Sequence, residues 1–518
     1  MLSLPFERML LVGSTGFIGS RILGELAESK TPLAALVRGE NDEQARLRIA
    51  FMLKQQGRSL ADNGSSNKII AGDLLKKQFG LSAAAYQALA SSIDCVINIS
   101  GCTQFDSTPD GEPALTNVEG LQRLIEFASE AGAAFHHFST AFICGHHTGL
   151  WPETGLEPVD YRNDYEQSKW EGEQLLHEAV RGGQLPSLTV YRPSITVSDA
   201  ADCPMPGQQG ISQLIKTVAM ISRLTRKGAR SGSKRRFDTR QIRICARPDD
   251  PVHLAPLGWV VRVFLYLLAR PSLHGQVYHL ALAEPPMVDE LRQAVEQRFE
   301  LQMGAYTDEP LWDSTDREGL EERFYGSLMG VRHYFRQRMQ FSSRNLQQAL
   351  EGSELGYPCY DDALWNSLFD AVLGNSKQAE SPPKPKVKTA AGKTADACHG
   401  YFNSWLPRFA PQSKLRQLKS LTVDIGFWLE DGGDWTCRFQ EGELSSIARG
   451  AELSEVGAGY RANGAAFLDV VCGRIEPQDI FYSGRATIVG DIETGLKFAM
   501  ILYEFVGEFP YRPTDAKG

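Results

Sequence analysis

Disulfide and metal-site cysteine patterns are missing from this chain. Its nine cysteines include no C-x-x-C pair and no ligand-like spacing, so they read as buried thiols of a reducing compartment. An excess of positive charge is missing too. The net charge is −9, which disfavours bulk nucleic-acid binding. The longest apolar run, Leu257 to Ala269, covers about 13 residues and carries Arg262; a bilayer span needs more. No charged and apolar leader precedes the first strand-like segment, so no signal peptide is expected. These absences point to a cytoplasmic protein with no transmembrane segment, and they leave peripheral membrane contact open. The hydrophobic share, 42%, is that of an ordinary globular chain. At 518 residues there is room for two or three domains.

What is present begins with Met9-Leu10-Leu11-Val12 running into Gly13, Gly16 and Gly19. A strand, a tight turn and a helix through Ile22, Leu23 and Leu26 are expected. The G-x-x-G-x-x-G spacing lets a phosphate approach the backbone, and the helix start offers it N–H groups. A second strand, Leu33 to Val37, ends in Arg38. An acidic residue there would bind the ribose 2′-OH of NAD. Arg38 can instead pair with a 2′-phosphate, which favours NADPH over NADH; a solvated strand-end arginine is the plain alternative. Lys68 to Leu74 and Cys95 to Gly101 read as further strands, with helical patterns between, and Asn117 opens the next helix. Alternating strand and helix argues for an α/β fold with a doubly wound parallel sheet. Gly13, Arg38, Asp73 and Gly101 then fall at strand ends, where such sheets bind ligands.

Phe135 to Thr140 is a fifth strand ending in two hydroxyls, Ser139 and Thr140. Either can simply cap the strand end. Tyr165 and Lys169 follow at i, i+4 in a helical segment, which sets phenol and ammonium on one face. A neighbouring cation favours phenolate, so Tyr165 is expected to be an acid with a lowered pKa. An ordinary surface pair would have the same spacing.

Residues from about 8 to 290 resemble an extended short-chain dehydrogenase/reductase, and within it the thioester reductases and fatty acyl-CoA reductases. The segments that carry the resemblance are Val12 to Gly19, Leu36-Val37-Arg38, Gly72-Asp73-Leu74, Asn117 to Gly120, Phe138 to Phe142, Asn163 to Leu175 and Tyr191 to Ile195. It implies roles residue by residue. Tyr165 would be the general acid, and Lys169 would lower its pKa and hold the nicotinamide ribose. Thr140, or Ser139 beside it, would orient the substrate carbonyl. Gly13, Thr15, Gly16, Phe17, Ile18 and Gly19 would cradle the pyrophosphate. Asp73 and Leu74 would border adenine, with Ser100, Gly101 and Asn117 also on the cofactor. Pro193, Ser194 and Ile195 would lie against the nicotinamide.

Arg223 to Arg247 holds ten cations against one acid, Asp238, with glycines and serines at its centre. Such a loop could attract coenzyme A phosphates or an acidic acyl-carrier protein, or it is only a solvated loop. Residues 291–374 read as a helical extension on the substrate side, its aromatics taken as core. Residues 375–396, with Ser381 to Lys388 rich in proline and lysine, read as a linker.

In 397–518, Val423, Ile425, Phe427 and Leu429 alternate with polar or small residues, as in a half-buried strand. Asp431 to Asp434 makes a turn, and Gly464 to Val471 reads as a helix. With the Gly473 to Asp479 turn, Phe481 and Ser483 to Asp491, this part resembles the sterol-carrier-protein-2 family. The resemblance implies a small α+β fold with an apolar tunnel for an acyl or sterol-like ligand; a scaffold module with a filled core is the alternative.

The joint expectation is an NADPH-dependent reductase of an acyl thioester, bound to coenzyme A or to an acyl-carrier protein in trans. No adenylation or carrier segment is recognisable, so acyl activation is expected elsewhere. Two alternatives are an NAD(P)-dependent dehydrogenase of a hydrophobic hydroxy or keto compound, such as a steroid or polyketide, and a lipid carrier with no catalytic role.

Overall fold

A computed structural model describes the chain except residues 1–3, 40, 57, 59–66, 109–110, 200–209, 231–238, 310, 314–316, 318, 329–331, 333, 337, 374–389, 414, 416–420, 453–455, 475–485, 491–497, 499–500, 504 and 513–518. It divides into two units, Met1–Asn375 and Ser376–Gly518.

The first unit contains eleven strands among its described residues: β1 (Met9–Val12), β2 (Leu33–Val37), β3 (Lys68–Ala71), β4 (Cys95–Asn98), β5 (Ala134–Phe138), β6 (Gly149–Trp151), β7 (Leu188–Pro193), β8 (Ile195–Val197), β9 (Leu254–Pro256), β10 (Val277–Leu280) and β11 (Met339–Phe341). Seven form one parallel sheet in the order β10-β7-β5-β4-β1-β2-β3. Every residue of β1, β2 and β4 is buried, because helices cover both faces of a parallel sheet. Met9 and Leu11 face one core with Phe264 of the helix Leu257–Leu268. Leu10 and Val12 face the other, with Leu124 and Phe127 of the helix Leu121–Ala131.

The register matters for function. Val12 stands level with Leu36 on one side and Asn98 on the other. The residues after these strands therefore emerge along one edge. The strand order reverses between β1 and β4, and that is where a doubly wound sheet opens a crevice.

The helical pattern expected from 291 to 374 is interrupted. The helices Val288–Phe299, Gly319–Leu328 and Asp362–Leu373 share a core with the helix Gly210–Arg230. Between them, β11 pairs in parallel with β6 over Met339–Phe341. Three residues are too few to show a strand period. The helix Gly210–Arg230 also runs through Gly228, into the stretch expected to be loop. Among the described residues no helix is long and apolar enough to cross a membrane.

In the second unit, the helix Ala390–Gly400 starts within the stretch expected to be linker. Five strands follow: β12 (Val423–Glu430), β13 (Gly433–Gln440), β14 (Glu443–Arg449), β15 (Ala458–Asn463) and β16 (Ala486–Gly490). Their order is β14-β13-β12-β15-β16, with β12 and β15 parallel and the other pairs antiparallel. Ile425, Phe427 and Leu429 are buried in its core. Phe402 lies between Trp435 at 4.8 Å and Phe467 at 5.2 Å, nearly parallel to both. Of the turn Gly473 to Asp479 only Gly473 and Arg474 are described, Phe481 lies outside the described residues, and Ser483 to Asp491 is described over Ala486–Gly490, as β16.

Three histidines of the first unit are buried: His136 bonded to Tyr191 Oη at 2.9 Å, His253 to Met339 O at 2.9 Å, and His279 to Ser342 O at 2.7 Å with Arg192 Nη1 at 3.4 Å from its other nitrogen. Burial pulls their pKa values down to about 3, about 4 and about 3. Below about pH 6.5 the unfolded chain takes up protons that the folded chain refuses, so stability falls with pH from about 6.5 toward 3–4. The slope is about 1.4 kcal/mol per pH unit for each histidine. Urea midpoints of the first unit should be clearly lower at pH 5.5 than at pH 7.5; equal midpoints would contradict the neutral buried state.

Candidate active site

The edge of the sheet carries most of the residues singled out from the sequence. Gly13 follows β1 with φ +87°, and a Cβ there would collide with the backbone of Ile99 and Ser100. Gly19, one turn into the helix Phe17–Ala27, lies against the Gly13 carbonyl, again with no room for a Cβ. The β1 turn and the β4 end thus pack backbone to backbone. Gly16 N donates to Gly13 O at 3.1 Å and closes the turn. Thr15 is half-buried in it, and Phe17 and Ile18 pack into the core below. Arg38 is exposed just beyond β2. Asp73 follows β3, and its carboxylate accepts from Leu75 N at 3.0 Å, while Leu74 is buried.

Ser100 is held by Asn98, whose Oδ1 accepts from its N at 3.0 Å and its Oγ at 2.6 Å. Asn117 lies beside this loop, with its Oδ1 next to Gly101. Its side chain accepts from Cys102 N at 2.8 Å and donates to Cys102 O and Ser168 Oγ, both at 2.9 Å. It pins the loop after β4 to the helix Asp164–Arg181. Ser194 lies just past β7, with Pro193 ending that strand and Ile195 starting β8. Among the described residues, the buried hydroxyls Ser14 Oγ and Ser194 Oγ find no hydrogen-bond partner. Two unpaired hydroxyls and a glycine cradle along one edge suit a dinucleotide, whose phosphate and amide groups would complete them.

Tyr165 stands in the first turn of the helix Asp164–Arg181, which Asn163 caps by accepting from Glu166 N at 3.0 Å. The Thr140 hydroxyl faces its phenol and accepts from Phe142 N at 3.3 Å. Ser139 Oγ, buried at the end of β5 on the Glu173 side, likewise finds no hydrogen-bond partner, and Thr140 is the hydroxyl that faces Tyr165. Lys169 Nζ donates to Phe138 O at 2.8 Å. A side-chain carbon at Gly101 would stand 3.8 Å from that ammonium.

The expected lowering of the Tyr165 pKa is corrected. Burial pushes it up to about 12, against the facing Thr140 hydroxyl, with Glu166 and Cys102 adding to the rise. A densely enclosed phenol resists becoming an anion, and the ammonium meant to favour that anion is bonded to a carbonyl. Tyr165 therefore stays protonated at neutral pH.

Two groups of residues escaped sequence reasoning. The first is aromatic. Phe105 lies 6.4 Å from the Tyr165 ring and stacks on Tyr334 at 5.1 Å; Phe142 meets Tyr334 edge-on at 5.4 Å. Tyr334 Oη accepts from Asn163 Nδ2 at 2.9 Å, and Arg162, paired with Glu166 at 2.9 Å, lies 5.7 Å from the Tyr334 ring. Tyr334 belongs to an aromatic stripe that reads as core. Nothing in its spacing distinguishes the ring that reaches the site. The second group is ionic: Glu173 pairs with Arg192, both fully buried. Arg192 stands inside the quoted Tyr191 to Ile195 segment, and that was its one signal.

The basic stretch is less open than its composition suggests. Arg243 pairs with Glu309 at 2.6 Å and Glu321 at 2.8 Å, and Arg247 with Asp308 at 3.2 Å. The side chains of 223–230 and all of 231–238 lie outside the described residues. In the second unit, Tyr401, Leu415, Phe427, Phe439, Phe498 and Phe505 are among the residues lining an apolar pocket with about 10 Å³ of free space, roughly the room one water takes.

Known proteins resemble both units. A family model described as male sterility protein matches residues 11–261, and one described as SCP-2 sterol transfer family matches 402–503. The chain is 28% identical over 296 residues to nonribosomal peptide synthetase asaC of Aspergillus flavus, covering 54% of this chain and 26% of that protein. It is 32% identical over 199 residues to glycine betaine reductase ATRR of Emericella nidulans, covering 34% and 15%. The chain thus spans about a quarter or less of these relatives. The terminal R domain from the myxalamid PKS-NRPS biosynthetic pathway superposes with a TM-score of 0.58 at 20% identity, over 72% of this chain and 92% of that one. At that identity the likeness shows the fold.

Replacing Gly13 or Gly19 by alanine should abolish nucleotide binding or fold stability, because each methyl meets backbone that cannot yield. Fluorescence titration with NADPH, beside a melting curve, tests this; wild-type affinity in both variants would rule out the cradle.

Proposed function

Because this chain joins a reductase domain of the extended short-chain dehydrogenase/reductase superfamily to an SCP-2 domain, we propose that it reduces acyl thioesters with NADPH, the acyl group arriving on coenzyme A or on a carrier protein in trans. The observation that carries this reading is the Thr140–Tyr165 hydroxyl pair, one helical turn from a buried Lys169 that borders Gly101.

The residues that would hold the cofactor are the Gly13 to Gly19 turn, Ser100 and Gly101, Ser194 and Lys169, with Arg38 at the 2′-phosphate. When bound, the reduced nicotinamide supplies a hydride. Thr140 orients the thioester carbonyl. Tyr165 enters the reaction protonated and gives its proton to the carbonyl oxygen as the carbon is reduced. The hemithioacetal then breaks its carbon–sulfur bond: its hydroxyl proton is lost, the thiol leaves protonated, and an aldehyde remains. A second reduction of that aldehyde gives the alcohol.

The order along the helix Asp164–Arg181 supports placing the acyl group near Phe105 and Tyr334. Lys169, on the cofactor side, lies a turn after Tyr165; the aromatic rings lie before it. The apolar lining of the second unit's pocket supports an acyl or sterol-like ligand, for which these side chains would have to move apart, since the free space between them is about 10 Å³. The eight described cysteines are all free thiols, which supports a cytoplasmic setting.

Purified protein with NADPH should turn over long-chain acyl-CoA and release free thiol; cofactor oxidation with hydrophobic ketones alone would favour the secondary-alcohol dehydrogenase reading. Tyr165→Phe should lower kcat on the order of 10²-fold or more; unchanged turnover would refute the acid. Arg38→Glu should weaken NADPH far more than NADH in binding titrations, and equal loss of both would remove Arg38 from the 2′-phosphate.

A further inference from the structure

Three polar side chains recur at four-residue steps on the helix Asp164–Arg181: Tyr165, Lys169 and Glu173. Four-residue steps keep one face of a helix. Glu173 is fully buried, and Arg192 of β7 grips it from the sheet. Arg192 Nε lies 3.1 Å from Oε1 and 3.2 Å from Oε2, and Nη2 bonds Oε1 as well. Arg192 is fixed in turn by Glu153 O at 3.1 Å and Gly155 O at 2.8 Å. This is a rigid, dry carboxylate with a defined direction.

A buried ion pair adds little stability over apolar residues of the same shape, so packing alone does not account for a carboxylate here. Lys169 does. Its ammonium is buried, and its hydrogen bond goes to an uncharged carbonyl. A buried amine with no negative charge nearby gives up its proton. The titratable groups facing Lys169 are Tyr165 and Glu173 on its own helix and His137 of β5, with Arg192 of β7 and His177 beyond Glu173. Tyr165 is a protonated phenol, and burial keeps His137 neutral. That leaves Glu173 as the negative charge.

We propose that Glu173, clamped by Arg192 one turn from Lys169 on the same buried helix face, is a positioning residue that keeps Lys169 charged where its ammonium meets Phe138 O beside the Gly101 edge. The electrostatics agree with the geometry. Burial pulls Lys169 down to about 8, and Glu173 is what opposes that fall. Burial also raises the Glu173 carboxyl, but Arg192 and the hydrogen bonds to it outweigh burial and hold it well below the usual carboxylate range. The carboxylate therefore stays charged wherever the lysine must. This inference rests on reading Lys169 as the residue that holds the nicotinamide ribose.

The test uses the full chain with Glu173→Gln and Glu173→Asp. Two quantities are followed against pH: Lys169 acetylation by acetic anhydride, read by mass spectrometry, and NADPH affinity, read by fluorescence. In Glu173→Gln the Lys169 labelling midpoint should fall by about one pH unit or more, equivalent to a roughly tenfold smaller charged fraction above it. NADPH affinity at pH 7.5, between the two midpoints, should fall by about threefold or more and recover at pH 6, where the lysine regains its proton. Glu173→Asp should return the midpoint toward wild type. A role in folding alone would lower the melting temperature and leave the midpoint in place, and that result overturns the proposal. Should neither variant fold, the wild type decides: a Lys169 midpoint below about 7 with Glu173 intact would refute it, and one at about 8 or above would support it. Shifted midpoints in a protein that reduces no acyl-CoA would sink the thioester reading and leave the role of Glu173 standing.

Discussion

The helix Asp164–Arg181 buries an ammonium and a carboxylate against a sheet of apolar strands, and the site depends on each finding a partner there. Lys169 is satisfied by the Phe138 carbonyl, and Glu173 by the Arg192 guanidinium. Both partners come from strands that end along the sheet edge that carries the glycine turn, β5 and β7. A buried ionised group without such a partner would neutralise or force the helix away. The same two contacts therefore hold the helix down and aim its functional face. Asn117 adds a third tie, joining the loop after β4 to Ser168.

That arrangement explains the protonation states. Tyr165 is enclosed enough to stay neutral, and the nearby positive charge is spent on a carbonyl. An acid that begins protonated suits a reaction in which negative charge develops on a carbonyl oxygen. On the far side of Tyr165 the environment changes. Phe105, Phe142 and Tyr334 build an aromatic wall that Asn163, bonded to Tyr334, ties to the cap of the same helix, with the Arg162 guanidinium lying over the Phe142 and Tyr334 rings. The helix thus runs from an aromatic wall backed by the Arg162–Glu166 pair to the Lys169 and Glu173 turns, with the proposed acid between them.

The second unit follows a different logic. Its described core is aromatic, with Phe402 held between Trp435 and Phe467, and its chemistry is that of apolar surface. The edge strand β14 shows how much an alternating pattern depends on burial. Most of its residues are exposed, so no apolar period marks it, whereas β12 alternates clearly because one of its faces lies on the core.

Much of this protein could be read locally. Both-faces-buried strands leave unbroken apolar runs, and the Gly13, Gly16 and Gly19 spacing records a backbone that must approach another. The Tyr165 and Lys169 step follows from the 3.6-residue turn. Arg38, Asp73, Gly101 and Thr140 were legible as strand ends for the same reason. The rest was decided by the tertiary structure. Tyr334 lies far along the chain from Tyr165, and only folding shows which ring of an aromatic stripe stacks on Phe105. Arg192 and Glu173 each look ordinary until β7 is laid against the helix. Asn117 carries the right residue type in the right place, yet which of its neighbours takes its hydrogen bonds is a matter of a few ångströms. The direction of the Tyr165 shift is likewise hidden, because spacing records proximity while a pKa depends on how much water the fold leaves around the group. Periodicity is a property of neighbours in the chain; desolvation and pairing are properties of neighbours in space.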